Sequence, residues 1–382
     1  MRISVISAAT VAALVGYASS VAILLAAATA VGATPAQTAS WLLAISLGKA
    51  FGSAFLSWRS RVPVVLAWST PGAALIAATA GISFAEAVGA FVVTGLLIIA
   101  TGLIRPLGSL VARIPDAIAA AMLAGVLLPF CLKGAATATA LPGLVLPMVA
   151  VFLIVRLWNP AFAVLAAFGT GVALALLAGS DLSTVRLAAP VLTPTAPEFR
   201  LSVILGLGLP LYLVTMASQN LPGFATLRAA GYEPPVSPAL TVTGLISAIT
   251  AVFGAHTVSM AAITAAICLG PDVHPDRERR WIVGLAYAGV WTALGLLSPT
   301  VLDLLAALPP EVVSALVALA LLSPLLGALS GAFATPDLRM PATFTLVTTA
   351  SGIAAFGIGA AFWGLLIGLL VWGLDRLKTR RP

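Results

Sequence analysis

The chain has 382 residues, 61% of them hydrophobic and 8% charged, with a mean hydropathy of +1.13. Those values exclude an ordinary soluble domain and predict an all-α polytopic membrane protein. A net charge of +7 raises nucleic acid as a partner, but its placement in loops, set out below, argues against one.

Polar and Pro/Gly-rich breaks divide the chain into about 14 transmembrane segments, beginning near residues 4, 37, 63, 84, 116, 141, 160, 199, 236, 252, 280, 309, 341 and 357. The first, behind Arg2, is too long for the apolar part of a signal peptide, and similar runs follow it. It carries Tyr17, Ser19 and Ser20. The second, WLLAISLGKAFGSAF, holds Lys49. Its stem can snorkel, yet Arg59 lies ten residues on, about 15 Å along a helix, so the ammonium can sit deep. A packing or interfacial role is favoured there over contact with a substrate.

The third segment, PVVLAWSTPGAALIAA at 63–78, interrupts its own helix with Ser69, Thr70, Pro71 and Gly72. The β-branched start reads as a short strand; Thr70 then suits an N-cap and Pro71 the first helical position, so a half-helix begins inside the membrane. Pro115 and Asp116 open the fifth segment and Pro129 is expected to end it. Cys131 and Cys268 lack metal or redox spacing and read as packing residues.

In the second half, MASQNLPG at 216–223 brings Gln219 and Asn220. AVFGAHTV then reads as a second strand before MAAITAAI, with Thr257 or Ser259 as the cap of another half-helix. His274 falls in the polar loop GPDVHPDRERR and reads as solvated. Pro310 and Glu311 open the twelfth segment and Pro324 is expected to end it.

The halves echo each other. YASSVAIL matches MASQNLPG, WSTPGAALIAA matches HTVSMAAITAA, and the Pro-acid helix starts correspond. Seven spans per half is odd, so 1–182 and 198–378 are expected to form a 7+7 inverted repeat, the plan of secondary transporters. The half-helices (segments 3 and 10) then enter from opposite faces with their N-termini meeting near the midplane, and the short strands before them pair with each other.

Opposed helix N-termini suit an anion. The expected substrate-binding set is Tyr17, Ser19, Ser69, Thr70, Gly72, Gln219, Asn220, Thr257 and Ser259, with Ser20 beside it. All twelve acids fall in loops or at span ends, leaving a cationic substrate without a counter-ion. His256 is the ionisable group at the expected centre, either as a hydrogen-bonded structural residue or as the proton-coupling group. No cofactor or metal site is expected, and with no HExxH motif, intramembrane acid pair or convincing nucleophile-base pair an enzyme is not expected either.

Cytoplasmic termini place Arg59, Arg61, Arg105, Arg113, Arg156, Arg228, Arg277, Arg279, Arg280, Arg339, Arg376, Lys378, Arg380 and Arg381 inside, and Lys133, Arg186 and Arg200 outside. That asymmetry follows the positive-inside rule and accounts for the basic charge without nucleic acid. GALSG at 327–331 permits close helix packing within a protomer or in a homo-oligomer.

At AWSTPGAALIA, MASQNLPGFATLRAAGY and FGAHTVSMAAITAAICLGPDVHPDRERRW the sequence resembles the benzoate/proton symporter (BenE) family. The resemblance covers nearly the whole chain. It implies benzoate uptake with a proton across the bacterial inner membrane, and a fold similar to uracil permeases and sulfate-type anion carriers. In that fold spans 1–4 and 8–11 form a core and spans 5–7 and 12–14 a gate. It carries the site onto Ser69, Thr70, Gln219, Asn220, His256, Thr257 and Ser259. Uracil carriers have a glutamate in span 8 where Gln219 or Asn220 stands here, which argues against nucleobases. The expected activity is symport of an aromatic monocarboxylate; a carrier or channel for another small anion is the alternative.

Overall fold

Prolines and small hydroxyl residues set where the helices of this protein start and bend. The computed structural model describes residues 2–104, 114–183, 185–261 and 263–379. Arg105, Arg113, Arg380, Arg381 and the side chain of Lys378, all assigned above to the inner face, lie outside the described residues. The first span is broken into α1 (Ile3–Ala18) and α2 (Val21–Ala30), and the hydroxyls of Ser19 and Ser20 at the break donate back to the Gly16 carbonyl. A capping box of Thr34 and Gln37, with Pro35 in first position, opens α3 (Pro35–Ser60). The Ser83 and Glu86 box opens α5 (Phe84–Leu103), beyond the short α4 (Thr70–Ala77); each box satisfies backbone donors that the first helical turn cannot.

Helices α6 (Asp116–Ala140), α7 (Pro142–Trp158) and α8 (Pro160–Leu177) complete the first half. The second runs through α9 (Leu201–Ala229), α10 (Val236–Ala251), α11 (Ile263–Leu269), α12 (Ile282–Leu296), α13 (Ser298–Ala306), α14 (Pro310–Phe333), α15 (Arg339–Ala350) and α16 (Ala360–Thr379). Among the described residues seven helices are long and apolar enough to cross a membrane. An eighth crossing results if the pair bent by 56° before α13 counts as one span.

Proline does not act as the sequence suggests. Pro129 and Pro324 lie inside α6 and α14 and end neither; membrane helices tolerate such prolines where neighbours pack against them, as α6 and α14 pack along each other. In α9, wide π turns at Ile204–Gly208 and Met216–Asn220 each stop just before a proline, Pro210 and Pro222. The wider turn makes room for a ring that would strike the preceding carbonyls of a regular α-helix.

β1 (Leu66–Trp68) and β2 (Val258–Met260) pair antiparallel, with Leu66 opposite Met260, Ala67 opposite Ser259 and Trp68 opposite Val258. α4 therefore leaves one end of this ribbon and α11 the other. Two expectations shift. The cap of α4 is Ser69, not Thr70, which is the first helical residue, with Pro71 second. Thr257 precedes β2 and Ser259 lies within it, so neither caps α11. Around the ribbon, α5 packs along α10 and α3 along α12, with α1 against α12 and α2 against α4; α6 packs along α14 and α15, α15 against α16, and α7 against α8.

Candidate functional site

A two-stranded ribbon has two outer edges, and side chains from the surrounding helices satisfy them. Ser53 of α3 accepts from the Leu66 N–H at 3.0 Å, and Tyr287 of α12 donates to the Leu66 carbonyl at 3.0 Å. Ser247 of α10 accepts from Val258 N–H at 2.9 Å, and Asn220 of α9 accepts from Met260 N–H at 2.9 Å. The Ser259 hydroxyl donates across the ribbon to the Ala67 carbonyl at 3.3 Å.

The start of α4 is fixed from both sides. Ser69 N–H donates to the Thr257 carbonyl at 3.2 Å, and the Ser69 hydroxyl oxygen accepts from Gly72 N–H at 3.0 Å. A Cβ on Gly72 would stand 2.5 Å from Leu211 Cδ1 and 2.8 Å from Ser69 Oγ, so a larger residue there would displace the Leu211 side chain and the capping hydroxyl. His256, fully buried, accepts from Trp41 Nε1–H on Nδ1 at 3.1 Å. That leaves Nε2–H to donate to the Ser69 carbonyl at 3.1 Å, which defines the neutral tautomer. Thr257 Oγ1 meets Thr215 Oγ1 at 3.1 Å.

On the other side of Trp68 is a cavity of about 1090 Å³, between the helices around the ribbon and the α6/α14 pair. Of the expected site residues, Ser19, Thr70 and Gln219 line it, with Ser20, whose hydroxyl accepts from Trp68 Nε1–H at 2.7 Å. Ser69, Gly72, Asn220, His256, Thr257 and Ser259 are not in its wall; they hold the ribbon and the start of α4. Tyr17 packs behind the wall, its ring 5.9 Å from Trp68 and 5.7 Å from Trp291.

The wall also contains residues that sequence reasoning missed. Trp68, Tyr287 and Trp291 give it aromatic faces, and Ser218, Thr264 and Ser323 add hydroxyls. Trp68 was legible as the residue before the Ser-Thr-Pro-Gly interruption; Trp291 sits in an unremarkable apolar helix and gave no signal. Lys49 lines the cavity too and is 1% exposed, so it neither snorkels nor lies at an interface. Across from the ribbon, the exposed Asp116 at the start of α6 reaches the wall.

The fold has solved counterparts. The transmembrane domain of a cyanobacterial bicarbonate transporter, BicA, superposes with a TM-score of 0.58 at 14% identity over 99% of this chain and 98% of its own. SLC26A9 gives 0.67 at 13% identity over 98% of this chain and 66% of its own. At such identities the likeness establishes the fold alone. Sequence relatives are nearer. The inner membrane protein YdcO of Escherichia coli strain K12 is 42% identical over 94% of this chain and 92% of its own length. The benzoate membrane transport protein of Acinetobacter baylyi is 35% identical over the same shares. Residues 1–374 match the sequence model described as benzoate membrane transport protein, and on that match this multi-pass membrane protein belongs to the BenE family of membrane transporters.

Proposed function

We propose that the protein imports an aromatic monocarboxylate, benzoate first, together with a proton across the bacterial inner membrane. The observation that carries this reading is the composition of the cavity wall. Trp68, Tyr287 and Trp291 suit a flat apolar ring, while Ser19, Thr70 and Gln219, beside the capped start of α4, suit a carboxylate. A helix N-terminus there favours an anion by up to about 2 kcal/mol when partly buried. The name of the Acinetobacter relative adds benzoate itself.

The working cycle takes all fourteen segments as crossings in two inverted halves, 1–182 and 198–378, with both termini in the cytoplasm. Supporting it are the paired strands from opposite halves, the half-helices leaving opposite ends of their ribbon, and the Pro-acid starts near α6 and α14. Spans 1–4 and 8–11 act as a core and spans 5–7 and 12–14 as a gate, moving as rigid bodies about the cavity between them. Asn220, Thr257 and Ser259 serve the substrate by fixing the ribbon. Ser69 and Gly72 do so by fixing α4.

The test is labelled benzoate uptake by purified protein in liposomes, read as an initial rate. A component that saturates and is competed by unlabelled aromatic acids is expected, because passive entry of the free acid does neither. Rates equal to protein-free liposomes at every concentration would overturn the reading.

A further inference from the structure

Lys49 stands midway along α3, with its Nζ 2.9 Å from the centre of the Trp291 ring and 3.5 Å from that of Trp68. The two indoles meet edge to face. Among the described residues no carboxylate lies within ion-pairing distance of it. Indole faces attract an ammonium but supply no counter-charge, and an unpaired buried charge is among the costliest groups a protein can hold. A further donor in this cluster has no partner, the buried hydroxyl of Tyr17, whose ring packs on both indoles. Lys49 stands in the wall of the cavity with no counter-charge for its ammonium, and a carboxylate in the cavity supplies one.

We propose that Lys49 is the cationic seat of the transported carboxylate, and that the proton on its Nζ is the one carried with the anion. The proposal rests on the reading of this protein as a carboxylate carrier. The Nζ lone pair takes a proton from the outer solution, the ammonium and carboxylate cross as a neutral pair, and the proton leaves to the inner solution as the anion departs. No other bond is made or broken.

The titratable groups on the elements packed around Lys49 are few. α12 brings Tyr287, whose hydroxyl is committed to the Leu66 carbonyl. α1 brings Tyr17, behind the indoles. His256, before β2, has both ring nitrogens engaged. α10 and β1 bring none, and Asp303 on α13 is spent on the Arg186 N–H. Asp116 is the acid in the cavity wall. Protonation of Lys49 and binding of the anion therefore favour each other by the same factor, so affinity is high on the acid side and falls as pH rises.

The experiment measures benzoate binding to the purified full chain by calorimetry from pH 6 to pH 9, with Lys49→Met, Lys49→Arg and Asp116→Asn. Wild-type Kd should weaken by up to about tenfold per pH unit, the limit for one linked proton. Lys49→Met should lose at least about tenfold in affinity at pH 6, the least expected of an unpaired carboxylate, together with the pH dependence. Lys49→Arg, which keeps the charge but cannot release the proton, should bind with little pH dependence and catalyse benzoate exchange without net proton-driven uptake. Wild-type affinity and slope in Lys49→Met, or an unchanged slope in a folded Lys49→Arg, would overturn the proposal. So would loss of binding in Asp116→Asn equal to that in Lys49→Met, since Lys49 would then serve Asp116. If the wild type binds another carboxylate but not benzoate, with the same dependence on Lys49 and pH, the benzoate reading falls and the assignment of Lys49 stands.

Discussion

His256 has its two ring nitrogens committed in opposite directions, one accepting from Trp41 and the other donating to the Ser69 carbonyl. A ring so engaged positions the residue that caps α4, and its place behind the cavity wall leaves it no direct path to a bound anion. Ser69→Ala removes the cap and is expected to cost about 0.5–2 kcal/mol, read as weaker benzoate binding and a lower unfolding temperature. His256→Gln should weaken affinity by a similar amount while leaving the pH slope of binding intact; normal affinity with the slope abolished would make His256 the proton carrier after all. The capping chemistry was legible in Ser-Thr-Pro-Gly because it is local. Its register was off by one residue because proline, though commonest at the first helical position, is accommodated throughout the first turn, where no N–H has an intrahelical acceptor. What fixes Ser69 outside the helix is its bonding to His256 and Thr257, contacts made across the fold that no local reading contains.

Helix α5 crosses α10 where two glycines face. A Cβ on Gly244 would come 2.6 Å from Ile99 N and 2.8 Å from the Gly95 carbonyl oxygen, and one on Gly95 would come 2.6 Å from Ala248 N. Backbone cannot yield as a side chain can, so Gly244→Ala should force the helices apart at a cost of about 1–3 kcal/mol. Thermal unfolding in detergent checks it against Gly289→Ala on α12, where nothing lies within 4 Å and better helix propensity should raise stability by up to about 1 kcal/mol. Equal shifts in the two variants would show that the crossing is not close-packed. At this scale the sequence revealed apolar runs and the positions of their breaks, because hydropathy and proline act within a segment. It did not reveal that Pro129 and Pro324 are absorbed within α6 and α14, since tolerance of a helix proline depends on neighbours. The ribbon's edges were equally hidden: Ser53 and Ser247 read as ordinary polar residues, and Asn220 as a substrate ligand, until the fold brings them to backbone groups of the ribbon.

For the whole molecule, in the proposed cycle, the decisive quantity is the charge that moves as the cavity changes sides. Among the described residues its wall holds two charged groups, Lys49 and the exposed Asp116. Moving an anion alone against an interior-negative potential costs about 2.3 kcal/mol per 100 mV, roughly a fiftyfold bias against uptake. A proton alongside removes that cost and leaves the pH gradient as the driver. We therefore expect a benzoate jump outside proteoliposomes to acidify the lumen at a rate that scales with protein, while a solid-supported membrane bearing the same vesicles records no transport current. Clamping the potential at 0 or −100 mV should leave the initial rate unchanged, and an inside-alkaline gradient should raise it. A sustained inward current of negative charge would instead mark uniport or a channel. A current of the opposite sign would require more than one proton per anion, and with it a second titrating group besides Lys49.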